Sequence, residues 1–244
     1  MTINNKWYRF YKYVLIGPFL RVYNRPWIEG AEKIPATGSA ILVSNHQAVM
    51  DSFYLPLLCP RELVFPAKKE YFTSPGIKGR FKRFFFESVN QIPVDRDDKN
   101  AGDSILAAAK KVFDAGELFG IYPEGTRSPD GRIYKGKTGM ARIALETGET
   151  VIPVAMIDTR KANPIGSVFP RPVKVGVRIG DPIDPLEFVK NKGLDPKSHE
   201  AARVLTDHVM RLLAELAEQP YVDMYAADVK KSLEAGHGYP EGAK

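Results

Sequence analysis

Short runs of apolar residues recur along the chain, separated by segments of helical periodicity. The runs resemble buried strands, the last of them alternating, and they cover residues 40–44, 63–66, 89–94, 118–122, 151–157 and 173–179. Helical periodicity covers residues 103–115, 138–147 and 199–218. Because strands that alternate with helices form α/β sheets, the pattern predicts an α/β fold with a mixed, largely parallel sheet covered by helices.

No interior stretch has the composition of a linker, so we expect a single domain. Its predicted limits are residues 29–220, with an N-terminal segment over 1–28 and a C-terminal tail over 221–244. The end of that tail, residues 236–240, is rich in glycine and closes on a proline. This composition predicts disorder and leaves His237 without an expected function.

The N-terminal segment has the pattern of an amphipathic helix lying in a membrane interface. Lys6, Arg9 and Lys12 are predicted to point away from its apolar stripe, and Gly17-Pro18 to break or kink the helix midway. The stripe consists of Tyr8, Tyr11, Leu15, Phe19 and Val22. Packing of this stripe on the protein's own core is an alternative. Nucleic acid is not an expected partner, because the aliphatic residues suit hydrocarbon better than bases.

Charge adds weight to the membrane interpretation. The 244-residue chain has a net charge of +6, and residues 1–30 and 61–90 each carry +4. The second window contains the aromatic and basic run 79–86, which is hard to bury completely. We therefore expect a surface with anionic lipids as a partner. No apolar run reaches the roughly 20 residues of a spanning helix, and none resembles a signal peptide, so we expect a peripheral (monotopic) protein at the cytoplasmic face.

Cysteine and histidine usage narrows the chemistry. Cys59 is the only cysteine, which excludes an internal disulfide framework and a zinc site built from paired thiolates. The four histidines lack a metal-ligand spacing on a helix face. We expect a reducing compartment, no metal and no cofactor.

Polar groups cluster where the predicted strands end. His46 follows the first strand, Lys69 the second, Arg96 the third and residues 124–127 the fourth. In open α/β sheets, ligands bind outside the carboxyl ends of the strands, so these groups are expected to share one cleft. Such a cleft would place a general base beside an anion-binding site.

His46 and Asp51 form the candidate catalytic pair. Five helical steps would leave the two side chains roughly 140° apart, so contact between them requires a turn that leads into a helix. A carboxylate that accepts a hydrogen bond from Nδ1–H would leave Nε2 free to accept a proton from a substrate hydroxyl. Ser44 lacks a nucleophile elbow, which favours direct attack by that hydroxyl on an acyl carbonyl. Taken alone, the pair also fits a helix N-cap beside an ordinary loop histidine.

Several segments together resemble the glycerolipid acyltransferase family, most closely its 1-acylglycerol-3-phosphate O-acyltransferases. The segment 45–51 contains the His-x4-Asp motif of that family, and 122–128 (YPEGTRS) is very similar to its third motif. Further similar blocks are 67–70, 92–96, 137–139 and 151–154. Ala48, Asn90 and Pro93 depart from the family's commoner residues.

The resemblance implies a function and a role for each matched residue. His46 would be the general base and Asp51 its orienting carboxylate. The acceptor's glycerol phosphate would be bound by further residues of the matched motifs: Arg96, Glu124, Gly125, Thr126 and Arg127, with Lys137 and Lys69 adding positive charge. The implied reaction transfers a fatty acyl group from acyl-CoA or acyl carrier protein to a lysophospholipid, 1-acylglycerol 3-phosphate, giving phosphatidic acid. Glycerol 3-phosphate and other lysophospholipids or glycolipids are alternative acceptors.

Two other function classes fit part of the sequence. Residues 131–138 match the phosphate-loop pattern G-x-x-x-x-G-K-T, but eight residues separate this segment from the preceding predicted strand. A non-catalytic membrane-binding protein that keeps the fold is the other alternative. The intact His46, Asp51, Glu124 and Arg127 favour the enzyme over that alternative.

Overall fold

The protein is described by a computed structural model that covers residues 5–95, 101–167 and 169–243. The strands are β1 (Trp27–Glu29), β2 (Ala40–Ser44), β3 (Leu63–Val64), β4 (Pro66–Lys68), β5 (Ile92–Val94), β6 (Leu118–Ile121), β7 (Ile133–Tyr134), β8 (Val151–Ile157), β9 (Gly176–Ile179) and β10 (Tyr221–Val222).

The helices surround these strands. They are α1 (Lys6–Phe10), α2 (Ile16–Tyr23), α3 (Asp51–Leu58), α4 (Glu70–Thr73), α5 (Gly76–Ser88), α6 (Ala101–Asp114), α7 (Gly139–Thr147), α8 (Thr159–Ala162), α9 (Pro185–Asn191), α10 (His199–Ala217) and α11 (Ala226–Glu234). A π turn (Tyr11–Leu15) joins α1 to α2, and a short 3-10 helix (Ala31–Lys33) follows β1.

A six-stranded sheet in the order β1-β9-β8-β2-β6-β3 forms the centre of the molecule. All neighbouring pairs are parallel except β8 and β9, which are antiparallel. Two small parallel sheets, β4-β5 and β7-β10, lie apart from it. The predicted α/β fold with a mixed, largely parallel sheet is therefore confirmed.

Helices on both faces of the sheet explain its continuous apolar strands. In β2, Ile41 and Val43 pack with residues of α7 and α10, whereas Leu42 packs with residues of α2 and α3 on the opposite face. Because successive side chains of a strand point to opposite faces, a strand covered on both sides needs an apolar residue at every position. Each such fully buried aliphatic side chain contributes about 1.5–3 kcal/mol.

The run 63–66, predicted as one strand, is divided between two sheets. Leu63 and Val64 pair with β6, whereas β4 pairs with β5. Phe65 lies at the break, where its backbone N–H donates to Oε1 of Gln91 at 3.1 Å. Its ring lies over Gly120, where a β-carbon would come within 2.4 Å of it. The glycine in β6 therefore provides the space for the ring at which the strand divides.

The N-terminal helix is irregular near Gly17-Pro18, but the irregularity is a π turn and not a break. The chain stays helical through Gly17 and Pro18, and the π turn lies just before them, with the N–H of Ile16 donating to the carbonyl of Tyr11. A proline inside a helix clashes with the carbonyl four residues earlier. A widened turn relieves such crowding without ending the helix.

The structure divides the predicted apolar stripe of this helix. Tyr8 is buried, as is Leu20 outside the stripe, whereas Leu15, Phe19 and Val22 are exposed. The membrane-facing role of the stripe stays a prediction. Lys6 and Arg9 are exposed as predicted. Lys12, in contrast, is turned inward and donates to the carbonyl of Cys59, and burial lowers its pKa.

The C-terminal segment, predicted only as a tail, contains the regular elements β10 and α11. The strand pairs in parallel with β7, and Val222, Ala226, Val229 and Ala243 are buried around Tyr134. The segment therefore packs on the domain as an ordered element. The domain limits at residues 28 and 220 stay a prediction.

Candidate active site

Two loops meet at the carboxyl ends of β2 and β6. These strands are parallel neighbours, with Val43 opposite Ile121, so the residues that follow them leave the sheet side by side. His46 lies two residues beyond β2, and the segment 122–127 begins directly after β6. The sheet topology thus brings together residues separated by almost 80 positions in the sequence.

His46 and Asp51 are in direct contact. Nδ1 of His46 lies 2.9 Å from Oδ2 of Asp51, whose side chain is fully buried, whereas the histidine side chain is 19% exposed. The same Oδ2 accepts the backbone N–H groups of Gln47 at 2.6 Å and Ala48 at 2.8 Å. These contacts hold the imidazole through Nδ1 and hold Asp51 through the backbone of the same loop.

A turn makes this contact possible. Residues 45–50 are irregular, and α3 begins at Asp51. Met50 is the N-cap, so the alternative in which Asp51 caps the helix is not observed. The expectation that contact requires a turn leading into a helix is confirmed.

Asn45 anchors the catalytic loop to the sheet. It is fully buried, its Oδ1 accepts the N–H of Met156 at 2.7 Å, and its Nδ2 donates to the carbonyl of the same residue at 3.3 Å. This double contact connects the two strands just beyond Ser44 and Val154, the last residues of β2 and β8 that pair. It holds the residue before His46 in place.

Tyr122 supports the imidazole from one side. The two rings stack with centroids 4.1 Å apart at 14°, and Tyr122 in turn stacks on Phe65 at 5.2 Å and 10°. The phenol oxygen lies 3.4 Å from Oγ of Ser52. An aromatic face stabilises a cation placed over it, so this stack favours a positive charge on His46.

Glu124 lies below the site instead of in it. Its side chain is 1% exposed, with Oε1 accepting the N–H of His46 at 3.0 Å and Oε2 that of Tyr134 at 3.4 Å. Burial raises the pKa of this carboxyl to about 8. Both oxygens thus hold backbone N–H groups, and a contact of Glu124 with the substrate's glycerol hydroxyl or with an arginine stays a prediction.

A cavity of about 790 Å³ opens above the pair. His46, Gly125, Thr126, Arg127 and Lys137 line it at one end. The remaining wall is mainly apolar and includes Ile16, Phe53, Pro56, Leu57, Phe65 and Phe85. One cavity thus combines an imidazole, a cationic end and a hydrophobic channel.

The backbone of Gly125 explains why the cationic end is compact. Gly125 has a φ of +69°, and a β-carbon there would lie 3.3 Å from Cε of Lys137. The N–H of Lys137 donates to the carbonyl of Pro123 at 2.8 Å. Only a residue without a side chain allows the lysine stem to lie this close to the loop at no steric cost.

Lys69, a predicted binding residue, is not among the described residues that line the cavity. Nζ of Lys69 lies 3.5 Å from Oδ2 of Asp95, and its neighbour Lys68 lines the cavity in its place. Arg96 lies outside the described residues. Within the described ranges, no group of three or more histidine, cysteine or acidic side chains is placed to hold a metal ion.

Asn90 shows why one departure from the family pattern is tolerated. Its φ is +56°, in the left-handed region that glycine adopts freely. Asparagine enters this region more easily than other residues with a β-carbon. Asn90 therefore preserves the backbone conformation at the position where the family motif usually has glycine.

Comparison with known proteins agrees with this arrangement. Residues 25–157, more than half of the chain, match the family model described as Acyltransferase. The chain belongs to this acyltransferase family. The resemblance inferred from the motifs is thereby confirmed.

Two relatives of this acyltransferase carry the same activity in their names. The chain is 31% identical over 155 residues to a chloroplastic 1-acyl-sn-glycerol-3-phosphate acyltransferase of Arabidopsis thaliana, covering 63% of the chain and 41% of that protein. It is 30% identical over 184 residues to the 1-acyl-sn-glycerol-3-phosphate acyltransferase of Limnanthes douglasii, covering 75% and 63%. The matches thus span less than two thirds of the length of these relatives.

A solved structure shares the fold. The crystal structure of the 1-acyl-sn-glycerophosphate (LPA) acyltransferase PlsC from Thermotoga maritima matches with a TM-score of 0.58 and 31% sequence identity. The match covers 78% of this acyltransferase and 71% of that chain. The TM-score and the coverage support a common architecture over most of the domain.

The segment that matches the phosphate-loop pattern does not form such a loop in this acyltransferase. Strand β7 lies inside residues 131–138, and the carbonyl of Gly131 accepts a bond from Nε2 of Gln47 at 2.9 Å. A phosphate loop requires a compact run of backbone N–H groups between a strand and a helix. An internal strand extends the segment and separates those groups.

Sequence reasoning missed three residues that support the site. Asn45 and Tyr122 were inside recognised motifs, but nothing in their spacing indicated an amide clamp or a stack on His46. The third is Lys230 in α11, whose Nζ donates to Oγ1 of Thr126 at 2.7 Å. Its segment was interpreted as a tail, and no local signal links it to a loop 104 residues earlier.

Proposed function

We propose that this protein transfers a fatty acyl group from acyl-CoA, or from acyl carrier protein, to the free hydroxyl of 1-acylglycerol 3-phosphate, giving phosphatidic acid. The observation that carries the proposal is one cavity lined by His46, which the buried Asp51 holds, by the cationic residues Arg127 and Lys137, and by a mainly apolar wall. The names of the relatives support the same acceptor.

The chemistry uses His46 as a general base. Its Nδ1–H donates to Asp51, so Nε2 accepts the proton of the acceptor hydroxyl as that oxygen attacks the thioester carbonyl. A C–O bond forms and the C–S bond breaks. The thiolate then takes the proton from the imidazolium, which restores His46. Asp51 and the face of Tyr122 stabilise the transient positive charge.

The cationic end binds the acceptor's phosphate. Arg127 and Lys137 supply charge, and the hydroxyl of Thr126 supplies a further donor. Hydrogen bonds to ionised groups contribute about 1.5–3 kcal/mol each, so a few such contacts suffice to select a phosphate. Lys69 and Arg96 stay predicted contributors to the same charge.

The apolar wall accommodates acyl chains. Phe53, Pro56 and Leu57 of α3 line it together with Ile16 of the N-terminal helix and Phe85 of α5. Burial of each methylene of an acyl chain contributes about 0.8 kcal/mol. The channel therefore offers a site for a long hydrocarbon chain next to His46.

A membrane surface delivers these lipids. Trp7, Phe10, Phe81 and Phe84 are 39–71% exposed, and the rings of Trp7 and Phe84 touch edge to face at 5.3 Å, so α1 and α5 present one aromatic surface. Exposed bases flank it, among them Lys6, Lys78, Arg80 and Lys82. In the described part of the chain, no helix combines the length and apolar character needed to cross a bilayer. We propose peripheral binding to anionic lipids at the cytoplasmic membrane face.

Radiolabelled acyl-CoA tests the proposal. It is offered with 1-acylglycerol 3-phosphate, with glycerol 3-phosphate or with no acceptor, and a parallel series uses acyl carrier protein as donor. We expect transfer to 1-acylglycerol 3-phosphate and a loss of about 100- to 10,000-fold in kcat for His46→Ala. His199→Ala is the matched control, because His199 is exposed at the start of α10.

Each other outcome has a distinct meaning. A loss below tenfold in His46→Ala contradicts the role of His46 as general base. Preferred transfer to glycerol 3-phosphate identifies the alternative acceptor. No transfer from either donor, combined with vesicle binding that His46→Ala leaves unchanged, identifies a non-catalytic membrane protein.

A further inference from the structure

The C-terminal helix α11 reaches the loop that lines the cationic end of the cavity. Lys230, in the second half of this helix, donates from Nζ to Oγ1 of Thr126 at 2.7 Å. The contact joins a residue beyond the segment that matches the family model, which ends at residue 157, to a residue within it. The site of this chain therefore includes an element that the family match does not cover.

The direction of this hydrogen bond determines what Thr126 can do. A lysine ammonium only donates, so the threonine oxygen is the acceptor and its own O–H is turned away from Lys230. Thr126 lines the cavity. The hydroxyl proton is thus left available for an acceptor group inside the cavity, such as a phosphate oxygen.

The charges around Lys230 favour the binding of an anion at this loop. Arg127 and Arg160 both lie near enough to lower the pKa of Lys230, although burial is the larger cause. Arg160 is already used on the loop, where it donates to the carbonyls of Ser128 and Pro129.

The nearby acids compensate for these cations only in part. Glu234 lies one helical turn along α11 and raises the pKa of Lys230, and Glu124 acts in the same direction. Burial raises the pKa of Glu124 itself to about 8, which reduces its negative charge at neutral pH. Three cations thus surround one loop with incomplete compensation, and a phosphate dianion would relieve their repulsion.

We propose that Lys230 is a positioning residue for the acceptor's phosphate, acting through the hydroxyl of Thr126 and through its own charge. This inference rests on the proposed function of the cavity. Ala226 and Val229 pack with Tyr134 and hold the helix in place beside the loop.

Lys230→Met tests the proposal, because methionine keeps the aliphatic stem and removes the ammonium. We expect KM for 1-acylglycerol 3-phosphate to rise about tenfold or more, the equivalent of one hydrogen bond to a charged group, while KM for the donor changes less than about threefold. Lys230→Arg should recover most of the affinity because it restores the charge. Lys231→Met is the matched control, since Lys231 is the exposed next residue of the helix.

Binding of glycerol 3-phosphate, measured by calorimetry on these three variants and on the native chain, gives a readout that needs no turnover. A purely structural role for Lys230 predicts a lower melting temperature and a lower kcat, with KM and glycerol 3-phosphate affinity unchanged, and that result overturns the inference. So does a Lys230→Met protein that behaves like Lys231→Met. If the native chain binds glycerol 3-phosphate in a Lys230-dependent way but transfers no acyl group, the proposed function fails and the anion site stands.

Discussion

Replacement of Asp51 by asparagine separates the charge of this residue from its shape. Oδ2 of Asp51 accepts the two backbone N–H groups of Gln47 and Ala48 as well as Nδ1 of His46. Oδ1 is buried and has no hydrogen-bond partner. An asparagine oxygen in the place of Oδ2 keeps the loop bonds, and its amide nitrogen takes the place of Oδ1. The variant thus removes the negative charge beside the imidazole with little change in geometry.

The expected magnitude follows from the charge on His46 in the transition state. Two unit charges about 4 Å apart attract by about 4 kcal/mol at an effective dielectric constant of about 20. Each 1.36 kcal/mol corresponds to about a factor of ten in rate, so kcat should fall about 1,000-fold in Asp51→Asn. The buried amide N–H2 lacks an acceptor and should cost about 1–3 kcal/mol of stability.

The assay is acyl transfer to 1-acylglycerol 3-phosphate, with melting curves to show that the variant is folded at the assay temperature. Asp114→Asn serves as the matched control, because Asp114 is exposed at the end of α6 far from the cavity-lining residues Gly102 and Ile105. A folded Asp51→Asn protein that keeps more than a tenth of the native kcat would refute the electrostatic role. KM for either substrate should change little, since Asp51 does not line the cavity.

Three further predictions concern other parts of the protein. Since folded Glu124 keeps its proton up to a pKa of about 8 against 4.5 in the unfolded chain, the free energy of unfolding should fall as pH rises through this window. Melting curves of the native protein and of Glu124→Gln at pH 5 and pH 8.5 check this. A difference in melting temperature between the two proteins that is the same at both pH values contradicts it. Gly125→Ala should raise KM for the acceptor, whereas Gly193→Ala, with the same backbone strain at φ +68° but no close neighbour, should not. Phe81→Glu should weaken sedimentation with anionic vesicles, and equal weakening by the control Phe169→Glu, also highly exposed, would count against the docking surface.

Much of the site could be predicted because its chemistry lies in short segments. The spacing of His46 and Asp51 limits the backbone between them to a turn, and the apolar runs over β2, β6 and β8 identify strands buried on both faces. The order of parallel strands then places the loops after β2 and β6 together. The turn and the buried strands depend on local stereochemistry, so the sequence alone determined them, whereas the pairing of β2 with β6 belongs to the tertiary structure.

Which face an element buries is decided by what covers it. Periodicity groups Tyr8, Leu15 and Phe19 in one apolar stripe of the N-terminal helix. Tyr8 is buried and the other two are exposed, whereas Leu20, outside the stripe, is buried against α3. Lys12 is turned inward, where its ammonium donates a hydrogen bond to the carbonyl of Cys59. No pattern within the helix itself contains this information.

Tertiary structure also decided the roles of Glu124 and Lys230. A carboxylate in a loop is as able to bind a substrate as to hold backbone N–H groups, and only the approach of His46 and Tyr134 selects the second role. Lys230 reaches Thr126 because β10 pairs with β7 and brings α11 over the loop. Such contacts join segments about 80 to 100 residues apart, and the free energy that selects them belongs to the packed molecule and not to any local stretch of sequence.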